Sequence, residues 1–376
     1  MMTLETRDKI ISIGVVGTAK NTGKTTTLSA ILSEGLKKGK SFALTSIGYD
    51  GERVDNLTLL PKPRLFVLEN QILATSDKCV QWAGAKTEVL KKTGIETSLG
   101  EIFIVRVLKP GLIVLAGPNK QNSLQKIRTM LSEYAEKILV DGALGRIAPF
   151  SIVDALIFTT GAARNTNIDF LADEMLSILE IFSLPASDWT ILEDRHRNLI
   201  LLLNEKGEEF SLSIGSVLSG KDVVSLVSLI RHHKTKKIFI PGAISHRAFQ
   251  QFIETVGDSI NGCEITFNSA PTMLSGWEPS ALHKLIVSLN AGNAGLLTRN
   301  KEKGVKISLR KKQQILAVTV NPFYPKREHR GSRYTPAFIN VGELKKVFKY
   351  NLQIPIFDIF NDGADKLFGL IDGFTI

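Results

Sequence analysis

The sequence predicts an α/β protein: a mostly parallel sheet flanked by helices, an antiparallel insertion at about 61–117, and a second, smaller α/β domain. Three observations carry this prediction. The apolar, β-branched run Ile10–Val16 is followed by a Gly-containing loop, and then by apolar residues recurring at helical spacing. Similar apolar runs alternate with helical periods as far as residue 182. Residues 61–117 interrupt that alternation with paired strand-like runs around Glu69-Asn70 and Lys109-Pro110-Gly111, and Pro-Gly is a strong turn signal.

Taken in order, Leu28, Ile31, Leu32 and Leu36 mark one face of a first helix, which Gly39 closes. Residues 41–47 read as a second strand. It runs into Gly48-Tyr49-Asp50-Gly51-Glu52-Arg53-Val54-Asp55, a polar loop with three carboxylates. Loops at the carboxyl ends of parallel strands line the ligand crevice. Asp50 or Asp55 therefore stands where a cation can be met, although Asp and Gly are also ordinary turn residues. Within the insertion, 64–68 and 71–75 read as a hairpin, about 77–92 as a helix closed by Gly94, and 101–108 with 112–116 as a second strand pair. A helix at 122–136 leads into Lys137–Gly142, an apolar strand ending in Asp141. Residues 154–161 form another core strand, with Asn165 in the loop beyond it. An amphipathic helix at 168–182 stops at Leu184-Pro185, which sets the domain limits at 1–185 and 186–376. The second half reads as strands at 189–192, 199–203, 209–214, 237–242, 314–320 and 355–359, with helices at 220–232 and 246–257. Glu254, Asp258 and Glu264 read there as solvated carboxylates.

At 376 residues the chain is long enough for two domains, and 43% hydrophobic residues without a run of about 20 uncharged apolar ones argues against a transmembrane helix. The polar start, Met1–Asp8, is unlike a secretory leader. Two distant cysteines, Cys79 and Cys263, suit a reducing cytoplasm, and the six histidines show no metal-ligand spacing. Between Arg299 and Lys349 stand 14 Lys/Arg against three Glu, which accounts for the whole net charge of +10. No helix-turn-helix, zinc-finger or RNA-binding signature accompanies that segment, so a protein partner or a solvated face is expected rather than nucleic acid.

Gly17-Thr18-Ala19-Lys20-Asn21-Thr22-Gly23-Lys24-Thr25-Thr26 lies between the first strand and first helix. That is the context of a phosphate-binding loop: backbone N–H groups and a helix N-terminus cradle phosphate oxygens, Lys24 reaches the outer phosphates, and Thr25 Oγ1 ligates Mg²⁺. Asp141, at the end of an apolar strand, is the expected second half, holding the metal shell or orienting a water, with Asp50 as a further metal candidate. Arg146 reads as a contact to a phosphate or an acidic partner, or equally as a plain surface arginine. No Asn-Lys-x-Asp stretch is present to read guanine, which favours ATP.

In the common pattern a Gly lies six residues before the Lys. Thr18 occupies that position here, and Gly17 stands seven before. The Gly-Thr opening resembles dethiobiotin synthetase and, with it, the MinD-like class of P-loop proteins. That class often carries a second lysine five residues before the first. Ala19 stands at that position, with Lys20 one off, so a trans-acting lysine does not carry over. Further stretches, Thr45-Ser46-Ile47-Gly48-Tyr49-Asp50-Gly51-Glu52, Thr93-Gly94-Ile95, Leu99-Gly100-Glu101, Leu115-Ala116-Gly117-Pro118, Asp141–Leu144 and Val320-Asn321-Pro322-Phe323-Tyr324-Pro325, resemble the P-loop subunit of the lysine 5,6-aminomutase reactivase. The resemblance is dense over 10–161 and thin after 185. It implies a cytoplasmic, chaperone-like ATPase that uses ATP and Mg²⁺ to exchange damaged cobalamin from an adenosylcobalamin-dependent mutase. A companion MutS-like ATPase subunit is implied as partner, with 299–349 as a docking face. The alternative reading is an ATP-dependent ligase on a small carboxylate metabolite, with the insertion as its substrate pocket.

Overall fold

The computed structural model describes residues 10–48, 65–189, 198–291, 304–327 and 334–375. These residues form two compact units, Met1–Ala172 with Gln314–Ile376, and Asp173–Gln313.

In the first unit, strand β1 (Ile11–Gly17) leads into helix α1 (Lys24–Lys37), and β2 (Phe42–Ser46) follows. The insertion supplies β3 (Leu65–Val67), β4 (Ile72–Ser76), the short α2 (Asp77–Gln81), β5 (Lys86–Thr97), β6 (Gly100–Lys109) and β7 (Gly111–Ile113). Helix α3 (Gln121–Leu131), β8 (Lys137–Ala143), β9 (Ala155–Gly161) and α4 (Ile168–Ser183) complete the first crossing of the chain. The division between the units falls within α4.

The second unit contains β10 (Ile200–Asn204), β11 (Glu209–Leu212), α5 (Gly220–His233), β12 (Thr235–Ile240), α6 (His246–Val256), β13 (Glu264–Ser269), α7 (Ala270–Leu274), α8 (Pro279–Asn290) and β14 (Lys306–Lys311). Its sheet runs β11-β10-β12-β13-β14, antiparallel at the β10 and β11 edge and parallel from β12 to β14. Sequence signals are well matched here. Ser219 and Asp222 form a reciprocal capping box at the start of α5, and Ser245 caps α6. Glu264 departs from the expected solvated carboxylate. It is buried, with Ser308 Oγ 2.6 Å away and the lysines of the flanking strands, Lys306 and Lys237, at 3.3 and 3.7 Å. A buried carboxylate is tolerated when it is paired and hydrogen-bonded in this way.

The chain then returns to the first unit as β15 (Gln314–Asn321), a separate hairpin of β16 (Phe323–Arg327) and β17 (Tyr334–Phe338), α9 (Val341–Asn351), β18 (Ile356–Phe357), α10 (Ile359–Asp362) and α11 (Asp365–Gly373). The nine-stranded sheet of this unit runs β18-β15-β9-β1-β8-β2-β4-β6-β5. Its pairs are parallel from β18 to β4 and antiparallel at β4–β6 and β6–β5. The α/β class and the mostly parallel sheet therefore stand as the sequence predicts. On one face, Leu28, Ile31 and Leu32 of α1 pack with Leu367, Phe368 and Ile371 of α11 over Ile13, Val15 and Ile157.

Several details differ from the sequence reading. Residues 314–376 belong with the first unit, because β15 pairs with β9 along its length. The boundary expected at 185 rested on a local helix stop and could not register that return. The basic segment 299–349 accordingly spans both units. Some of its charges are engaged internally, Lys306 with Glu264 and Lys345 with Asp362. Residues 77–92 are not one helix: α2 ends at Gln81 and β5 begins at Lys86. The two expected hairpins of the insertion exchange partners, β3 pairing with β7 and β4 with β6. Among the described residues, no helix is long and apolar enough to cross a membrane.

Candidate functional site

The site lies at the carboxyl ends of the parallel strands, around the loop between β1 and α1. Gly23 precedes α1 with φ +93°, a left-handed conformation that glycine adopts without strain, and Asn21 is left-handed at φ +62°. The loop is fastened from beneath by β9. Thr18 N–H donates to Thr159 O (3.0 Å), Thr18 Oγ1 donates to Thr160 Oγ1 (3.0 Å), and Thr22 Oγ1 lies 3.2 Å from Thr159 Oγ1 while donating to Ala19 O at 2.9 Å. The side chains of Thr18 and Thr22 are thus buried structural ties.

No side chain caps α1, and its first turn contains no acidic residue. The N-terminus of this 14-residue helix faces the cavity, and no residue of its own first turn offsets its partial positive charge. Beside it, Lys24 Nζ lies 3.0 Å from Asp141 Oδ1. The pairing follows from the sheet: β1 and β8 are neighbours, with Val15 opposite Asp141, so the carboxylate emerges next to the loop.

These groups open into a cavity of about 1430 Å³. Of the residues expected to bind nucleotide, Gly17, Ala19, Lys20, Asn21, Thr22, Gly23, Lys24, Thr25 and Thr26 line it, and so do Asp141 and Arg146. Thr18 does not, because it is turned towards β9. Asp50 lies outside the described residues. Asn165 is absent from the wall and instead accepts the Asn167 N–H in a local turn at 2.9 Å. The Ser46–Gly48 end of β2 joins the wall. Ser46 Oγ accepts the Gly117 N–H at 2.9 Å, and Gly48 N–H donates to Pro118 O at 3.2 Å, so two loops close that side together.

The residues present fit a phosphate chain with a divalent cation. A methyl group at Gly17 would stand 3.2 Å from Thr22 Oγ1 and 3.3 Å from Ala19 O, so the turn is drawn closely around its own backbone. Lys24 and an uncapped helix end offer donors to phosphate oxygens, while the Thr25 hydroxyl and the Asp141 carboxylate are hard oxygen ligands of the kind Mg²⁺ takes. Among the described residues, no group of three or more His, Cys, Asp or Glu gathers as a metal centre. A cation here would therefore depend on phosphate oxygens as well as protein.

The sequence reading missed much of the remaining wall. Leu65, Trp82 and Leu112 of the insertion flank the loop on the β8–β2 side, and Asn321, Phe323, Phe338 and Phe360 flank it on the β9–β15 side. Asn321 Nδ2 donates to Asn21 O at 2.9 Å, which ties the end of β15 to the loop across 300 positions. No local pattern marks these residues, since an Asn-Pro-Phe after a strand reads as an ordinary turn. Comparison with known protein families, with curated proteins and with solved structures found no match to the chain.

Proposed function

We propose that the chain binds MgATP at the Gly17–Thr26 loop and works as an ATP-driven reactivating factor for an adenosylcobalamin-dependent lysine 5,6-aminomutase. The observation that carries the nucleotide part is the uncapped N-terminus of α1, set beside the Lys24–Asp141 pair in one large cavity. Mg²⁺ would neutralise charge on the outer phosphate oxygens. Thr25 and Asp141 are the residues to hold it, and Lys24 the residue to meet the phosphates. Lys24 and Asp141 stand as an ion pair in this structure, and a terminal phosphate with its cation would compete with that pairing on binding. A pair that exchanges partners with occupancy is a ready two-state element, as nucleotide switches require.

The mutase part of the reading is supported by the resemblance of the Thr45–Glu52 stretch and its companions. A MutS-like subunit and the mutase are the proposed partners, with the cytoplasm as the proposed compartment. In calorimetry, Lys24→Ala is expected to abolish MgATP binding, and unchanged affinity would remove the site assignment. The tagged protein should then recover a cobalamin-dependent aminomutase from its native lysate in a MgATP-dependent manner.

A second reading is favoured by the apolar flank of the cavity, where Leu65, Trp82 and Leu112 lie beyond Asp141. A ligase acting on a small carboxylate metabolite would seat its substrate there. ATP hydrolysis stimulated by a metabolite, in the absence of any protein partner, would mark that reading.

A further inference from the structure

The cavity extends to both sides of the loop, and the two sides differ. Asp141 sits at the end of β8, on one side of β1, while Phe323, Phe338 and Phe360 follow β15 and β18, on the opposite side. A nucleotide holds its terminal phosphate and its base at opposite ends. If the metal end points to Asp141, the base points to the aromatic side.

Resting on the phosphate-loop reading above, we propose that Phe338 and Phe360 form the nucleobase subsite, a stacking platform for a planar heteroaromatic ring. Both rings line the cavity yet remain largely open, Phe338 at 66% and Phe360 at 75% exposure. Ligand cavities are lined by aromatic and apolar side chains of this kind, and rings this open leave their faces accessible to a planar group.

The platform is also built in place. Asn321 holds Asn21 O through Nδ2, and its Oδ1 accepts the Phe323 N–H at 3.1 Å, so one side chain fixes Phe323 relative to the loop. Phe323 packs edge-on against Phe338 with ring centroids 5.7 Å apart. Asp358 Oδ1 accepts the Phe360 N–H at 3.0 Å and holds the start of α10. Trp82 follows β4 and α2, and β4 lies beyond β8 in the sheet order, on the other flank of the loop.

The test compares MgATP with magnesium tripolyphosphate, which shares the phosphates and lacks the base. Calorimetry on the full chain is expected to show Phe338→Ala and Phe360→Ala each weakening MgATP by about tenfold, within the range for loss of one stacking ring. Tripolyphosphate affinity should stay unchanged, and Phe360→Trp should preserve or tighten MgATP binding. An unchanged ratio of the two affinities in both alanine variants overturns the subsite. A variant that misfolds would lose both ligands together, and Phe360→Trp then decides the matter: MgATP weakened against tripolyphosphate by this larger ring overturns the platform. Failure of the underlying reading looks different, since Lys24→Ala would leave tripolyphosphate bound as tightly as before.

Discussion

Gly23 shows how closely loop conformation and neighbour packing are tied in this site. Its φ of +93° is one that a residue with a side chain adopts only at a cost, and an added methyl would stand 3.3 Å from Asn321 Cβ. Gly23→Ala therefore meets both backbone strain and the residue that braces the loop. The expected loss is about 1–2 kcal/mol of stability, read as a fall of a few degrees in Tm, together with weaker MgATP binding. Unchanged Tm and affinity would mean that the loop relaxes freely and is not held by Asn321. The same reasoning explains why Thr18 and Thr22 are poor targets for testing phosphate contact directly. Their hydroxyls bind β9, so truncating them loosens the loop whatever it binds.

The elements that carry the aromatic side of the cavity are held by a charged joint. Lys345 of α9 meets both carboxylate oxygens of Asp362, at the end of α10, and the Asp358 N–H donates to the same carboxylate at 2.9 Å. Burial opposes the charge on Asp362, but the bonds from Lys345 and the Asp358 amide, with the charges of Lys345 and Lys349, outweigh it and hold the carboxyl below its usual range. A carboxyl depressed in the folded state stabilises the fold above its ordinary value near 4, and that contribution is lost as pH falls through the folded-state value. Asp362→Asn should therefore cost about 0.5–1 kcal/mol at pH 7. Urea unfolding should show the gap between variant and parent closing below about pH 3, and a gap that persists there would assign the effect to packing. This joint was invisible in the sequence, because Lys345 and Asp362 lie on separate short helices. The β1–loop–α1 corner and the end of β8 were legible because their signals are local: an apolar run, two glycines, a lysine and a helical period. The stretch 77–92 misled because Lys, Glu, Val and Leu also suit a helix. Residues 77–81 do form a short helix, but from Lys86 the chain becomes the outer strand β5, and pairing with β6 decided that outcome.

At the scale of the whole molecule, the order of the chain and the order of the folded units differ. A boundary near 185 followed from a helix stop and a change of rhythm, both local signals, whereas the return of β15 to β9 is a pairing across more than 150 positions that no local pattern encodes. The consequence can be tested with fragments. Residues 1–185 lack Leu316, Ala317, Phe357, Leu367, Phe368 and Ile371, which share one core with Ile13, Val15, Leu28 and Ile157. They also leave β9, whose seven residues are all buried, as an open sheet edge. Burial of one large apolar side chain contributes about 1.5–3 kcal/mol, so losing the five large ones removes an amount comparable with the whole net stability of a typical domain, about 5–15 kcal/mol. The 1–185 fragment should bind a hydrophobic dye, lack near-ultraviolet dichroism and unfold without cooperativity. Residues 168–313 keep all of α4 and a five-stranded sheet, with Phe249, Phe252 and Phe267 buried among its helices. They also keep the pairings of α4 with α8, Glu180 with His283 and Ser177 with Ser280. That fragment should unfold as a single cooperative transition. A cooperatively folded 1–185 fragment would show that the final 63 residues are an addition to an already complete core, and that the aromatic wall they bring to the cavity is dispensable to the fold around the loop.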